Sequence, residues 1–388
     1  MKSSTRTAVF ATASLEAYGS DLQMLQSVVA LTNAGWRVVV AASADGRLAE
    51  RLAAAGTEVV HLDFPVLRRA SATPRGMLAF VREGVRALPR MARMLRRSEA
   101  DLLYVNTVTL PWWLVVGRLL GVPTLCHVHE AEARDSRAVR LALTLPLLLA
   151  QRIIVNSQTT EDGMVGAVPR LKDRTKRIYN GVEPPESLPV SEPVSSPARL
   201  VLVSRLSPRK APHVALEATA MLKEQGYDVM LELCGTTSEG MEWYLEQLEE
   251  RAQQPDLAGV VKFQGYTSPI WPTLAHADVV LAPSLGESFG NTVVEGQMAG
   301  RPVVATAVQG HLETVTDGVT GLLVPCEDPA ALARAVARLL DDPELARRLA
   351  RQGRDSALTN FSSTRYGVEI CEIADEMVPA VVAVRVLT

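Results

Sequence analysis

The run Val279-Val-Leu-Ala-Pro-Ser-Leu-Gly-Glu-Ser-Phe-Gly-Asn-Thr-Val-Val-Glu-Gly-Gln-Met-Ala-Gly-Arg-Pro-Val-Val-Ala305 decides the fold. Val279–Ala282 reads as a short apolar strand, a loop of small residues follows, a helix starts near Asn291, and Pro302–Ala305 is a second apolar strand. Neither strand alternates polar with apolar side chains, so both faces are buried, and two such strands joined through a helix lie parallel. The rhythm extends in both directions. Thr7–Ala11, Trp36–Ala42, Glu58–Leu62, Leu102–Val105, Pro123–Val128 and Arg152–Val155 read as strands of a first half, with helices such as Asp21–Ala34 and Leu110–Leu120 between them. Arg199–Ser204, Val229–Cys234, Val260–Phe263 and Gly321–Val324 complete a second half. Between the halves, Pro184–Pro197 holds five prolines in fourteen residues and suits neither a helix nor a central strand. The expected architecture is α/β, with two Rossmann-like domains facing a cleft: residues 1–183 and 199–362, a linker at 184–198, and a helical segment at 363–388. Parallel sheets of this kind take their ligands at the carboxyl ends of the strands.

The length of 388 residues agrees with two domains at ~100–200 residues each. An apolar content of 47% excludes a disordered chain, and four scattered cysteines exclude a disulfide scaffold and any CxxC site. The first residues lack the apolar core of a secretory signal, and the most apolar stretch, Leu141–Ala150, is half the ~20 residues of a spanning helix. A reducing cytoplasm is the expected location. The net charge of −3 hides an asymmetry. Residues 1–185 carry 24 Lys and Arg against 16 Asp and Glu, a net +8; residues 186–388 carry 16 against 27, a net −11.

Four strand-end loops hold candidate chemistry. Val201-Leu-Val-Ser-Arg-Leu-Ser-Pro-Arg-Lys210 places Arg205, Arg209 and Lys210 between a strand and a helix, where cations and a helix N-terminus together suit a phosphate. Solvated surface charge is the plainer account. In the loop after Ala282, Glu287 and Glu295 can face one crevice and accept from the hydroxyls of a polyol, while Gly290 leaves backbone N–H groups open to an anion. Glu295 would also serve as a simple dipole charge at a helix start. Cys126-His-Val-His-Glu130 puts His127 and His129 on one strand face, which suits a metal, a hydrogen-bonding role toward sugar or phosphate, or buried histidines satisfied within the core. Tyr18-Gly-Ser-Asp21 offers a close backbone approach at Gly19 and a helix cap at Ser20 or Asp21. There is no Walker lysine motif, GxGxxG or HExxH.

In this order the elements resemble the retaining glycosyltransferases of family four, with the GT-B fold. Glu287-x7-Glu295, Gly300-Arg-Pro-Val-Val-Ala305 and Val315-Thr-Asp-Gly-Val-Thr-Gly-Leu-Leu-Val-Pro325 are similar to the family's most specific segment. Ser204-Arg-Leu-Ser-Pro-Arg-Lys210 and Tyr179-Asn-Gly-Val182 are similar to two further motifs. The resemblance implies a nucleotide-sugar donor with Arg205 and Lys210 at its diphosphate, Glu287 on the transferred sugar and Glu295 on the ribose. It implies that Ser288, Phe289, Gly290 and Asn291 form the donor loop, with backbone N–H groups of Gly290 and Asn291 on phosphate, and that Gly235 and Tyr266 line the base pocket. His129 would sit near the donor sugar, Gly19 and Ser20 would shape the loop where donor and acceptor meet, and the terminal helix would return to the first domain. Ser204 and Ala211 replace usual glycines, Gly296-Gln297 replaces a usual alanine–methionine, and Gly310-His311 stands where two glycines are frequent. No Asp-x-Asp is present, so no metal cofactor is expected.

The implied reaction is retaining, metal-independent transfer of a sugar from a UDP- or GDP-linked donor to an acceptor hydroxyl in glycan or polysaccharide assembly. Glycosylation of an antibiotic or other small molecule is the alternative acceptor, and a metal-dependent hydrolase at His127 and His129 the alternative chemistry. Expected partners are the nucleotide sugar and a glycan, lipid-linked or small-molecule acceptor, and no nucleic acid. In Arg68–Arg97, Met77, Phe80, Val81, Val85, Leu88 and Leu95 keep helical spacing, opposite Arg82, Arg86, Arg90, Arg93 and Arg97, with a kink expected at Pro89. Such a segment either lies peripherally on an anionic membrane or turns its apolar stripe to the domain core.

Overall fold

The computed structural model describes residues 5–16, 19–68, 71, 73–129, 137–185, 187, 196–238 and 240–379. Tyr18, Glu130, most of the proline-rich linker and residues 380–388 lie outside the described residues. The chain divides into two compact units, one of Met1–Gly181 with Ser363–Thr388 and one of Val182–Ser362.

In the first unit, β1 (Thr7–Thr12), α1 (Gly19–Asn33), β2 (Arg37–Ala42), α2 (Ala49–Ala54), β3 (Glu58–His61), α3 (Pro74–Arg97), β4 (Leu102–Val105), α4 (Pro111–Leu120), β5 (Thr124–Val128), α5 (Arg137–Thr144), β6 (Arg152–Val155), α6 (Gln158–Ala167) and β7 (Thr175–Arg177) follow in order. The seven-stranded sheet has the order β3-β2-β1-β4-β5-β6-β7, parallel throughout. The second unit runs through β8 (Ala198–Val203), α7 (Pro212–Glu224), β9 (Val229–Cys234), α8 (Glu242–Ala252), β10 (Val261–Gly265), α9 (Trp271–Ala275), β11 (Val279–Ala282), α10 (Asn291–Met298), β12 (Val303–Thr306), α11 (His311–Thr314), β13 (Leu322–Val324), α12 (Pro329–Asp341) and α13 (Pro343–Phe361). Its six-stranded sheet, β10-β9-β8-β11-β12-β13, is parallel too. Strand order reverses direction between β1 and β4 in one sheet and between β8 and β11 in the other. The loops diverge there and leave a crevice at the strands' carboxyl ends.

The final helix, α14 (Ser363–Met377), belongs to the first unit, as the resemblance implied. Its Tyr366, Ile370 and Ile373 are fully buried against Phe10, Met24, Leu31 and Tyr104. At the chain's return, a Cβ on Gly181 would lie 2.5 Å from that of Tyr366, so a side chain at 181 would displace the helix.

Two expectations change. Helix α1 begins at Gly19, so Gly19 and Ser20 are already helical, and Asp21 is buried within the first turn beside Ser14 Oγ at 3.4 Å. Neither Ser20 nor Asp21 is the residue preceding the helix. Helix α3 has Pro89 in its interior and is capped by Thr73, whose Oγ1 accepts from Gly76 N at 3.0 Å. Its single predicted apolar stripe splits in two. Phe80, Gly84, Ala87, Met91, Met94 and Leu95 face the core, while Met77, Leu78, Val81 and Val85 are exposed. Gly84 sets the packing: a Cβ there would lie 1.9 Å from the Trp112 ring on α4.

Candidate functional site

The second unit's cluster forms at its switch point. After β8 the chain reaches Ala211 in the left-handed conformation, φ 51°, where a glycine is usual, so the backbone shape survives without the residue that adopts it most readily. The loops after β8 and β11 are tied together: Leu285 N donates to Arg209 O at 2.8 Å, and Arg209 donates to Gly286 O at 2.9 Å. Arg209 is therefore a brace between loops. The brace brings Lys210 Nζ onto the Glu287 carboxylate as an ion pair. Burial works against an ionised Glu287, yet the charges of Lys210, His311 and Arg209 together hold its carboxyl below the usual range.

Glu287 is also fixed through its backbone. Its N–H donates to Gln309 Oε1 at 2.8 Å, and its carbonyl accepts from Gly310 N at 3.0 Å. A Cβ at 310 would stand 2.5 Å from Phe289 Cα, which requires glycine there. His311 is buried, with Nδ1 3.0 Å from Thr306 O, and burial lowers its pKa although Glu287 opposes this. That contact requires a proton on Nδ1, because a backbone carbonyl only accepts. Gly290, φ 102°, precedes α10, and Thr292 Oγ1 anchors the helix to Val203 O at 2.8 Å. Lys210, Glu287, Gly290, Thr292 and His311 line one small cavity. Glu295, half-buried on α10, has its pKa raised to about 7 by burial, with Lys210 drawing it back.

The remaining predicted residues of this unit surround that cluster. Arg205 is exposed on the loop after β8, and Ser288 and Asn291 are half-buried at the start of α10. Phe289 is not placed to offer its ring to a ligand: it is 1% exposed and packs edge-on against Phe361 at 5.4 Å. Gly235 follows β9 and donates to Gly265 O at 2.7 Å, next to the exposed Tyr266. Gln297, in place of the usual methionine, is fully buried and donates to Thr314 O and Thr320 O at 3.0 and 3.2 Å, tying α10 to the end of α11 and to the loop before β13.

In the first unit, the ends of β4 and β5 and the start of α1 converge. His129 Nε2 lies 3.1 Å from Asn106 Oδ1, and Asn106 Nδ2 donates to Ser20 O at 3.2 Å. His127 and His129 share a strand face as expected, with ring centroids 3.9 Å apart. His127 is fully buried, and its Nδ1 meets Tyr104 OH at 2.7 Å; Tyr104 in turn meets Ser27, which meets Tyr366 of α14. Burial and its neighbour His129 push the His127 pKa well down, and burial alone takes His129 to about 3, so both rings are neutral. Among the described residues no group of three or more His, Cys, Asp or Glu could hold a metal ion. Asn106 and Gln309 were missed as site residues, and Gly310 and His311 entered only as a departure from the family pattern.

The sequence matches two family profiles. Residues 22–186 match one described as Glycosyltransferase Family 4, and residues 186–356 one described as Glycosyl transferases group 1. The D-inositol 3-phosphate glycosyltransferase of Streptomyces avermitilis is 32% identical over 218 residues, covering 52% of this chain and 47% of that protein. That of Corynebacterium urealyticum is 30% identical over 248 residues, covering 60% and 58%. The chain thus spans about half the length of the curated relatives it matches. Among solved structures, Anabaena Alr3699/HepE in complex with UDP-glucose superposes with a TM-score of 0.82 at 24% identity, covering 95% of this chain and 99% of that one.

Proposed function

The chain belongs to the family 4 type of glycosyltransferases with the GT-B fold, and from that premise we propose that it transfers a sugar from a nucleoside-diphosphate donor to an acceptor hydroxyl with retention of configuration. The observation that carries this is the Lys210–Glu287 pair at the β8/β11 switch point, in front of α10 and beside Glu295. Each member has a natural exchange partner in such a donor. Lys210 would move to the diphosphate with Arg205, and Glu287 would accept from the sugar's hydroxyls. As the leaving diphosphate gains charge, the two cations stabilise it. The acceptor hydroxyl attacks from the side the diphosphate leaves, and gives its proton to a phosphate oxygen. Because the cations come from side chains, we propose that no metal is needed and that transfer persists in EDTA.

UDP-glucose is the first donor to test, since the Anabaena neighbour is a complex with it. A panel of UDP- and GDP-sugars titrated by calorimetry tests the proposal, and absence of binding by every member would refute it. The titration carries a signature. The Glu295 carboxyl, raised to about 7, is roughly half protonated at pH 7. Ribose hydroxyls donate more strongly to the carboxylate than to the protonated acid, so binding should release up to about half a proton at pH 7. The apparent heat will then differ between phosphate and Tris buffers, and Glu295→Gln should remove the difference. Equal heats in the wild type would take Glu295 away from the ribose.

We also propose that the acceptor belongs to glycan assembly at an anionic lipid surface, with small-molecule glycosylation as the alternative. No helix among the described residues is long and apolar enough to cross a membrane. The support is the second stripe of α3, where Leu78 is 70% and Val85 55% exposed, flanked by exposed Arg75, Arg82, Arg86 and Arg93. Apolar side chains bordered by arginines fit the boundary between headgroups and acyl chains. The protein should sediment with phosphatidylglycerol vesicles, less so in high salt, and Leu78→Glu with Val81→Glu should abolish this. Failure of the wild type to sediment would refute the docking.

A further inference from the structure

We propose that Asn106 is a positioning residue that holds His129 as the tautomer with its proton on Nε2. Asn106 is 1% exposed at the end of β4, and its backbone N–H is committed to Ala11 O at 3.0 Å. The carboxamide bridges two groups. On one side stands Ser20 O, 3.2 Å from Nδ2; a backbone carbonyl only accepts, so the amide nitrogen must face it. That fixes which way the amide points and leaves Oδ1 toward His129 Nε2 at 3.1 Å. An amide oxygen only accepts as well, so Nε2 carries the hydrogen.

The consequence lies at the other ring nitrogen. His129 is neutral, since burial takes its pKa to about 3, so with the proton on Nε2 the Nδ1 atom is an acceptor. At Nδ1 this tautomer can only accept, so His129 meets a partner there as an acceptor and not as a cationic donor. The chain of dependence starts at Ser20: the first turn of α1 orients Asn106, and Asn106 orients the histidine. The adjacent His127 has its own separate anchor on Tyr104, so it does not compete for Asn106. The catalytic part of this inference rests on the proposed sugar transfer; the tautomer does not.

The test uses the full chain labelled with ring-15N histidine, with His129→Gln identifying the resonance. Multiple-bond 1H–15N correlation should place the His129 proton on Nε2 alone. Asn106→Ala should give a mixture of both tautomers, whereas Asn106→Asp, which cannot donate to Ser20 O but still accepts from Nε2, should keep the proton on Nε2. With a working donor, Asn106→Ala should lower kcat by about 10–100-fold with a smaller change in donor KM, as for other residues that orient a functional histidine, and Asn106→Asp should recover most of the loss. A wild-type proton on Nδ1, or an unchanged single tautomer in Asn106→Ala, would overturn the proposal. If Asn106→Ala does not fold, the wild-type spectrum alone decides the tautomer. If the tautomer is as stated but no donor is turned over, the positioning stands and the proposed function falls.

Discussion

Lys210→Ala should lower kcat/KM for the donor by about a thousandfold, the effect expected when a preorganised charge on the leaving group is removed. The variant also leaves Glu287, 7% exposed, without its cation. Losing one partner of a buried pair costs about 3–5 kcal/mol, and less here because the Lys210 side chain is 21% accessible to water. Lost activity and lost stability must therefore be separated. Lys210→Ala combined with Glu287→Gln removes both charges, so it should regain most of the melting temperature and none of the activity. The pair also has a pH signature. Glu287 is held below its usual pKa in the folded state, so its contribution to stability is full above the unfolded carboxyl value. It is lost as pH falls through the lowered value. In Lys210→Ala the acid limb of the stability curve should flatten. Adding Arg205→Ala to Lys210→Ala should take transfer to background, and wild-type turnover by that double variant would sink the assignment.

The parts of this site that were legible in the sequence are those whose chemistry travels with a local pattern. β11, the loop with Glu287, and Asn291 at the head of α10 follow one another without interruption, so an apolar run and a loop of small residues are enough to find them. Strand β7 was not found, because Thr175–Arg177 is three residues long at a sheet edge and shows no apolar run. The residues that position the site were illegible for a different reason. Asn106 and His129 lie 23 positions apart, and Gln309 lies 22 from Glu287, so only the folded sheet brings them together. Helix α3 marks a third limit. Helical spacing identified an apolar arc there, but an arc wide enough for two stripes does not say which one meets the core. The small residue decides that: Gly84 lets Trp112 approach, so the stripe through Gly84 turns inward and Leu78 and Val81 turn out. The charge asymmetry acquires a location by the same route, since the exposed arginines of α3 lie on the basic unit.

Gly235→Ala should unfold the second unit at a temperature about 6–12 °C lower than wild type, at about 3 kcal/mol of strain and ~2–4 °C per kcal/mol for a domain of this size. The resemblance gives Gly235 a place in the base pocket, which would make the glycine a concession to the ligand. The geometry gives an earlier reason. Gly235 has φ 146°, and a Cβ there would stand 1.8 Å from Ser204 O. That carbonyl cannot retreat, because Ser204 N donates to Cys234 O at 2.9 Å and Leu206 N to Thr236 O at 3.0 Å, which stitch the loops after β8 and β9 together. Moving Ser204 would move Arg205 and the start of the loop that carries Lys210, so donor binding should weaken with stability. Gly240→Ala is the control. It has φ 80° but nothing within 4 Å of a Cβ, so it should cost only ~1–2 kcal/mol of backbone strain. If the ligand alone required a glycine at 235, the variant would melt like wild type and lose only donor binding. A loss of melting temperature in the ligand-free protein, larger than that of Gly240→Ala, places the requirement in the paired loops.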